Sequence, residues 1–285
     1  MTRTILAALL LIPVTVPGAE SLSAQTRGPS PVGSAAPLVM GETFTILSRG
    51  LAERRRINVY LPSGYADSAA RRFPVLYMPD GGMAEDFLHV AGLVQVSVGN
   101  GTMRPFILVG IENTERRRDM TGPTTVEEDR RIAPRVGGSA AFRTFLRTEL
   151  MPTVRARYRT TAETAIVGES LAGLFVMETF FTEPALFDSY IALDPSLWWN
   201  DKELAKGAAM QLVTLPLEGK SLFLASSGDA GLEEVVQGIA ADLDKAASRG
   251  LRVIHEPMPE ESHATIYHPA ALRAFRTLFK PVPAR

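Results

Sequence analysis

With 285 residues, 46% of them hydrophobic and 21% charged, the chain has the composition of a soluble globular protein and is long enough to bury a large core. A net charge of −1 gives no electrostatic footprint for nucleic acid or an anionic membrane. The absence of cysteine excludes disulfides, thiolate catalysis and acylation at an N-terminal cysteine.

The chain opens on "MTRTILAALLLIPVTVPGAESLSAQ", with a basic residue at Arg3, an apolar stretch from about Ile5 to Val16, and small residues beyond it. A membrane span needs about 20 apolar residues, and this run is shorter. The pattern predicts a secretory signal over residues 1–24, cleaved after Ala19 or Ala24. The protein is therefore expected to be exported, periplasmic or secreted, with no membrane span after signal removal. Residues 25–40, rich in Gly, Pro, Ser and Ala, predict a flexible leader, and residues 41–285 a single domain.

That domain begins with two β-branched, turn-bounded runs, "TFTILS" and "RRRINVYLP", which predict an antiparallel hairpin. Six apolar runs follow at wider spacing: "FPVLYMPDGG", "PFILVGIENT", "TAIVGES", "SYIALDPS", "KSLFLASSGD" and "LRVIHEPMP". Short apolar runs of this kind suit strands buried on both faces of a parallel sheet. Helical patterns fill most of the intervals. "AAFRTFLRTELMPTVRARY" puts Phe142, Phe145, Leu146, Leu150 and Val154 on one stripe, "LEEVVQGIAADLDKAASRG" stops at Gly250, and "PAALRAFRTLFK" closes the chain. The fold class is α/β: a single, mostly parallel sheet flanked by helices, with the N-terminal antiparallel hairpin at one edge.

Sites in open α/β sheets form beyond the carboxyl ends of the strands. After "TAIV" comes Gly168-Glu169-Ser170-Leu171-Ala172-Gly173, followed by the helical "LFVMETFF". Small residues two before and two after the serine allow a nucleophile elbow, a strained strand-to-helix turn that exposes the hydroxyl. Ala172 stands where glycine is commoner. Asp80-Gly81-Gly82 after the third run is expected to supply one oxyanion donor, the Gly82 N–H, and Leu171 N–H the other. Of the four histidines, His89 reads as a helix residue, His255 as a strand residue and His268 as the start of the last helix. His263, in the polar loop after the last strand, is the expected base. A metal held by His263 and His268 lacks a carboxylate–histidine cluster of usual spacing, and no metal or organic cofactor is expected. The orienting acid is expected after the seventh run, where Asp229, Glu233 and Glu234 qualify by position; Glu233 is preferred and Asp229 is the alternative.

With these residues in place, the chain resembles the serine esterases related to enterochelin esterase, the periplasmic siderophore esterases and the feruloyl esterase D group. The resemblance runs from about residue 42 to 280 through "VYLPSGY", "VLYMPDGG", "VGIENTERRRDMTGP", "IVGESLAGLFVMETFF", "PALFDSYIALDPSLWWN" and "EESHATIYHPAALRAF". It implies the α/β-hydrolase fold and a carboxylic-ester hydrolase acting on a small-molecule ester, with Ser170 as nucleophile and His263 as base. The implied substrates are siderophore or aryl and sugar esters. By the same route Arg117 or Arg118 could hold an anionic or catecholate group, and Trp198 or Trp199 could form an apolar wall. An acyltransferase, a peptidase and a non-catalytic siderophore- or glycan-binding protein are alternatives on the same scaffold.

Overall fold

The structure is a computed structural model and describes residues 35–229 and 233–281. The signal segment expected over residues 1–24 lies outside the described residues, as does the leader up to residue 34. By its internal contacts the chain divides into Met1–Val39 and a compact body, Met40–Arg285.

The body is built on one eight-stranded sheet. In chain order the strands are Glu42–Ser48 (β1), Glu53–Tyr60 (β2), Phe73–Met78 (β3), Ile107–Ile111 (β4), Thr160–Glu169 (β5), Ser189–Leu193 (β6), Ser221–Ser227 (β7) and Arg252–Met258 (β8). Their order across the sheet is β1-β2-β4-β3-β5-β6-β7-β8. The hairpin β1–β2 is antiparallel, and β2 joins β4 antiparallel; every other pairing is parallel. The β1 edge shows the alternation expected of a half-solvated strand, whereas β3, β4 and β6 are buried at every residue, which is why their sequences are continuous apolar runs.

Helices cover both faces. They are Phe87–Gly99 (α1), Arg116–Asp119 (α2), Glu127–Arg131 (α3), Ser139–Phe145 (α4), Met151–Arg157 (α5), Leu171–Thr182 (α6), Trp199–Leu212 (α7), Glu233–Ala246 (α8) and Tyr267–Leu278 (α9). A π turn, Leu146–Leu150, joins α4 to α5. Alternate residues of each strand feed two separate cores. Val75, Tyr77 and Ile166 pack with α4 to α8, while Leu76, Met78, Ala165 and Val167 pack with α1 and α9. The apolar stripe read along α4 and α5 is fully interior: Phe142, Phe145, Leu146, Leu150 and Val154 are all buried.

This layout brings the carboxyl ends of the parallel strands to one rim. The turns leaving β3, β5 and β6 each carry a non-glycine residue at positive φ: Asp80 (56°), Ser170 (60°) and Asp194 (42°). Such residues are uncommon and cost of order 1–3 kcal/mol each, so the packing around them must hold them there.

Truncating a core residue and an edge residue tests this division of labour. Phe145→Ala should cost about 3–5 kcal/mol in urea unfolding, the usual range for an aromatic cut from a packed core. Leu47→Ala, on the solvated face of the edge strand, should stay within about 0.5 kcal/mol of the parent.

Candidate active site

Ser170 sits between β5 and α6 with φ 60° and ψ −122°. Its N–H donates to Leu193 O and its own C=O accepts from Leu174 and Ser196 N–H, so both sides of the turn are anchored. Gly168 leaves room for the turn: a Cβ there would lie 2.6 Å from the backbone C and O of Ala172. Ala172, fully buried, shows that the second small position tolerates one methyl group when the first has none. The result is a serine hydroxyl held at the N-terminus of α6, where the Leu171 N–H, at the helix's first position, has no carbonyl one turn back to bond.

His263 reaches this hydroxyl from the loop after β8. Its Nε2 is 2.9 Å from Ser170 Oγ, and its Nδ1 is 2.6 Å from Asp194 Oδ2. Asp194, the first residue after β6, is fully buried, and its positive φ turns the carboxylate across the strand ends. It also accepts the N–H of Ser227 at 2.8 Å and the Ser227 hydroxyl at 2.9 Å. Burial by itself would raise the Asp194 carboxyl, but the hydrogen bonds from His263 and from Ser227 outweigh it and hold the group below its ordinary value. The bond to Asp194 raises His263 above the ordinary imidazole value against the opposing effect of burial, and the charges of Glu169, Asp194 and Asp229 add to the rise. With Nδ1–H donated to Asp194, Nε2 is left as the acceptor for the serine proton.

The carboxylate on the imidazole is therefore neither of those expected. Glu233 begins α8 and accepts from Gln237 Nε2, one turn along its own helix. Asp229 faces the histidine's backbone: Oδ2 accepts the His263 N–H at 2.8 Å and so pins the loop without touching the ring. The sequence cue for Asp194 is "ALDPS", a carboxylate directly after an apolar run and one strand earlier than the acids expected.

The expected oxyanion donors also differ from one another. Leu171 N–H opens from the helix start beside Ser170. Gly82 N–H is instead engaged, donating to Glu85 Oε2 at 2.7 Å in the turn between β3 and α1. The remaining histidines stand elsewhere. His89 stacks on His268 with ring centroids 4.9 Å apart, and His255 lies on β8. Among the described residues no three metal-ligating side chains cluster.

The basic loop after β4 divides by function. Arg118 is committed to the fold through Glu53 and Asp119, each at 2.7 Å. Arg117 is exposed and donates to Ile132 O. Arg116, not singled out in the sequence, lies nearer the site, gripping both oxygens of Asp80 at 2.7 and 2.8 Å. The two tryptophans likewise separate: Trp199 is buried, with its indole N–H on Gly122 O, whereas Trp198 is 39% exposed. Beside them Asn200, Asp201 and Lys202 all take left-handed conformations. Asn200 is clamped by its own N–H to Asp129 Oδ2 (2.8 Å) and by the Thr125 N–H to its Oδ1 (2.9 Å).

Comparison with known proteins places this geometry in context. Residues 48–226 match the model of the Esterase family, described as "Putative esterase". The chain is 28% identical over 174 residues to the ferri-bacillibactin esterase BesA of Bacillus subtilis (strain 168), covering 54% of this chain and 58% of that protein. It is 31% identical over 191 residues to a siderophore triacetylfusarinine C esterase of Aspergillus fumigatus, covering 60% of each. The match thus spans less than two thirds of these relatives' own length. The crystal structure of an IroE-like serine hydrolase from Shewanella oneidensis superposes with a TM-score of 0.76 at 32% identity, over 84% of this chain and 80% of that one.

The assignment of Asp194 to the imidazole has a direct readout. Ring-nitrogen NMR of Asp194→Asn should show His263 titrating lower than in the parent, because the bond that raises it is weakened. Glu233→Gln should leave that titration in place.

Proposed function

Since the chain belongs to this esterase family, we propose that it is a serine carboxylic-ester hydrolase in which Ser170, His263 and Asp194 act as nucleophile, general base and orienting acid. The observation that carries the reading is the unbroken line from Asp194 Oδ2 through His263 to Ser170 Oγ, at 2.6 and 2.9 Å. Ser170 Oγ attacks the ester carbonyl carbon while its proton passes to Nε2. The charge that develops on the carbonyl oxygen falls to the Leu171 N–H at the start of α6. Gly82 N–H joins it when the incoming ester displaces the Glu85 carboxylate. Collapse expels the alcohol, which takes the proton from Nε2 and leaves an acyl-enzyme on Ser170. Water, deprotonated by the same nitrogen, then releases the acid.

Asp194 keeps the imidazole in the tautomer this cycle needs and stabilises the imidazolium without itself becoming protonated. Because the base must start neutral and its pKa lies above the ordinary value, the rate should rise with pH through and above the usual imidazole range.

Siderophore esters are the proposed substrate class. One relative is named a ferri-bacillibactin esterase and another a siderophore esterase, and the segments following β6 and β4 carry an exposed Trp198 and an exposed Arg117. A flat aryl group and an anionic iron chelate match those two features. Export remains part of the proposal, resting on the segment read at residues 1–24. Among the described residues no helix is long and apolar enough to cross a membrane.

Hydrolysis of p-nitrophenyl esters and of an iron-loaded catecholate triester tests both levels of the reading. Ser170→Ala should lower kcat/KM by roughly 10⁴-fold or more, and Asp194→Asn by about 10²–10⁴-fold. Glu233→Gln should retain the parent rate. Equal rates for Ser170→Ala and the parent would refute the esterase assignment, and turnover of the aryl ester alone would refute the siderophore class.

A further inference from the structure

Ser170 Oγ is not alone on the open nitrogen of His263. Glu169, the last residue of β5, places Oε1 3.4 Å from the same Nε2. Its side chain is 15% exposed. The charged and titratable groups around it come from four other elements: Arg116 of α2, Asp80 after β3, Asp194 after β6, and Tyr267 of α9, with His263 itself from the β8 loop. Arg116 grips both oxygens of Asp80, so it is not dedicated to Glu169. Burial pushes the Glu169 carboxyl up to about 7, against the downward pull of His263 and Arg116 and with Asp80 and Asp194 adding to the rise.

We propose that Glu169 is a positioning residue for the proton relay, a second carboxylate that faces His263 at Nε2 while Asp194 holds Nδ1. The inference rests on the esterase reading of Ser170 and His263 given above. When the serine proton moves to Nε2, the lone pair of that nitrogen forms the N–H bond, and the electrons of the broken O–H bond remain on Oγ for attack on carbon. The imidazolium then carries one proton at each nitrogen. Asp194 accepts the first, and the second lies between the departing alcohol oxygen and Glu169.

An ionised Glu169 stabilises that imidazolium by charge, so the neutral imidazole is regained only at higher pH. A protonated Glu169 withdraws this support. Two groups that share one nitrogen titrate as a pair, and the acid limb of the rate profile belongs to both. Direct hydrogen bonding to Ser170 at 2.9 Å is shorter than the 3.4 Å approach of Glu169, so the serine keeps its partner in the resting site.

The test is the pH profile of kcat/KM on p-nitrophenyl acetate for the parent and for Glu169→Gln, which keeps the side chain's bulk and removes its charge. The acid limb should move down by about 0.5–1 pH unit, a three- to tenfold shift in proton affinity. The His263 ring titration followed by NMR in the same variant should fall with it, independently of the height of the rate plateau. An acid limb and a ring titration that overlay those of the parent would overturn the proposal, with the esterase reading intact if Ser170→Ala is inactive. Hydrolysis that survives Ser170→Ala would overturn both.

Discussion

The backbone of Ser170 is held in a left-handed conformation that a residue with a Cβ rarely adopts, and the presentation of its hydroxyl to His263 depends on it. Its cost is of order 1–3 kcal/mol. What holds it is close contact between the end of β5 and the first turn of α6, where Gly168 meets the Ala172 backbone with no space for a side chain. The strand is fixed on both sides by parallel neighbours, β3 and β6, and the helix by the larger of the two cores. Neither element can relax without unpairing the sheet or opening that core.

The same rim concentrates negative charge around a single imidazole. Asp194 is satisfied by three hydrogen-bond donors and stays ionised although buried. Glu169 is also largely buried but has weaker support, so its carboxyl is pushed towards neutrality. Two carboxyl groups on one histidine thus differ in proton affinity, because burial goes largely uncompensated at Glu169 and is outweighed by hydrogen bonds at Asp194. The left-handed turns at Asp80 and Asp194 repeat at neighbouring strand ends the device used at Ser170, each directing a polar side chain back over the sheet.

Much of this was legible in the sequence. The eight strands were readable because runs buried on both faces are continuously apolar, and the hairpin because its solvated edge alternates. Ser170 and His263 were marked by small-residue spacing and by chain order. Asp194 was not, because its role depends on a positive φ and on a crossing between strand ends that no local pattern encodes. Glu169 was hidden inside the elbow motif itself, where the middle position imposes no spacing of its own. Arg118 differs from expectation for a related reason: a run of three arginines does not reveal which of them are spent on buried carboxylates, as Arg116 is on Asp80 and Arg118 on Asp119. Gly82 was expected as an oxyanion donor, but the carboxylate three residues on that accepts its N–H could be seen only in the folded turn. The α7 segment gave little warning because it is polar and begins through three left-handed residues.

The central claim is that Ser170 is activated by the His263–Asp194 pair. Reaction of the purified protein with a fluorophosphonate, with peptide mapping of the adduct and its rate of formation, tests it most directly. The account predicts an adduct on Ser170 whose formation is lost in His263→Ala and slowed in Asp194→Asn. An unlabelled Ser170 in folded protein, or labelling unaffected by either substitution, would contradict it.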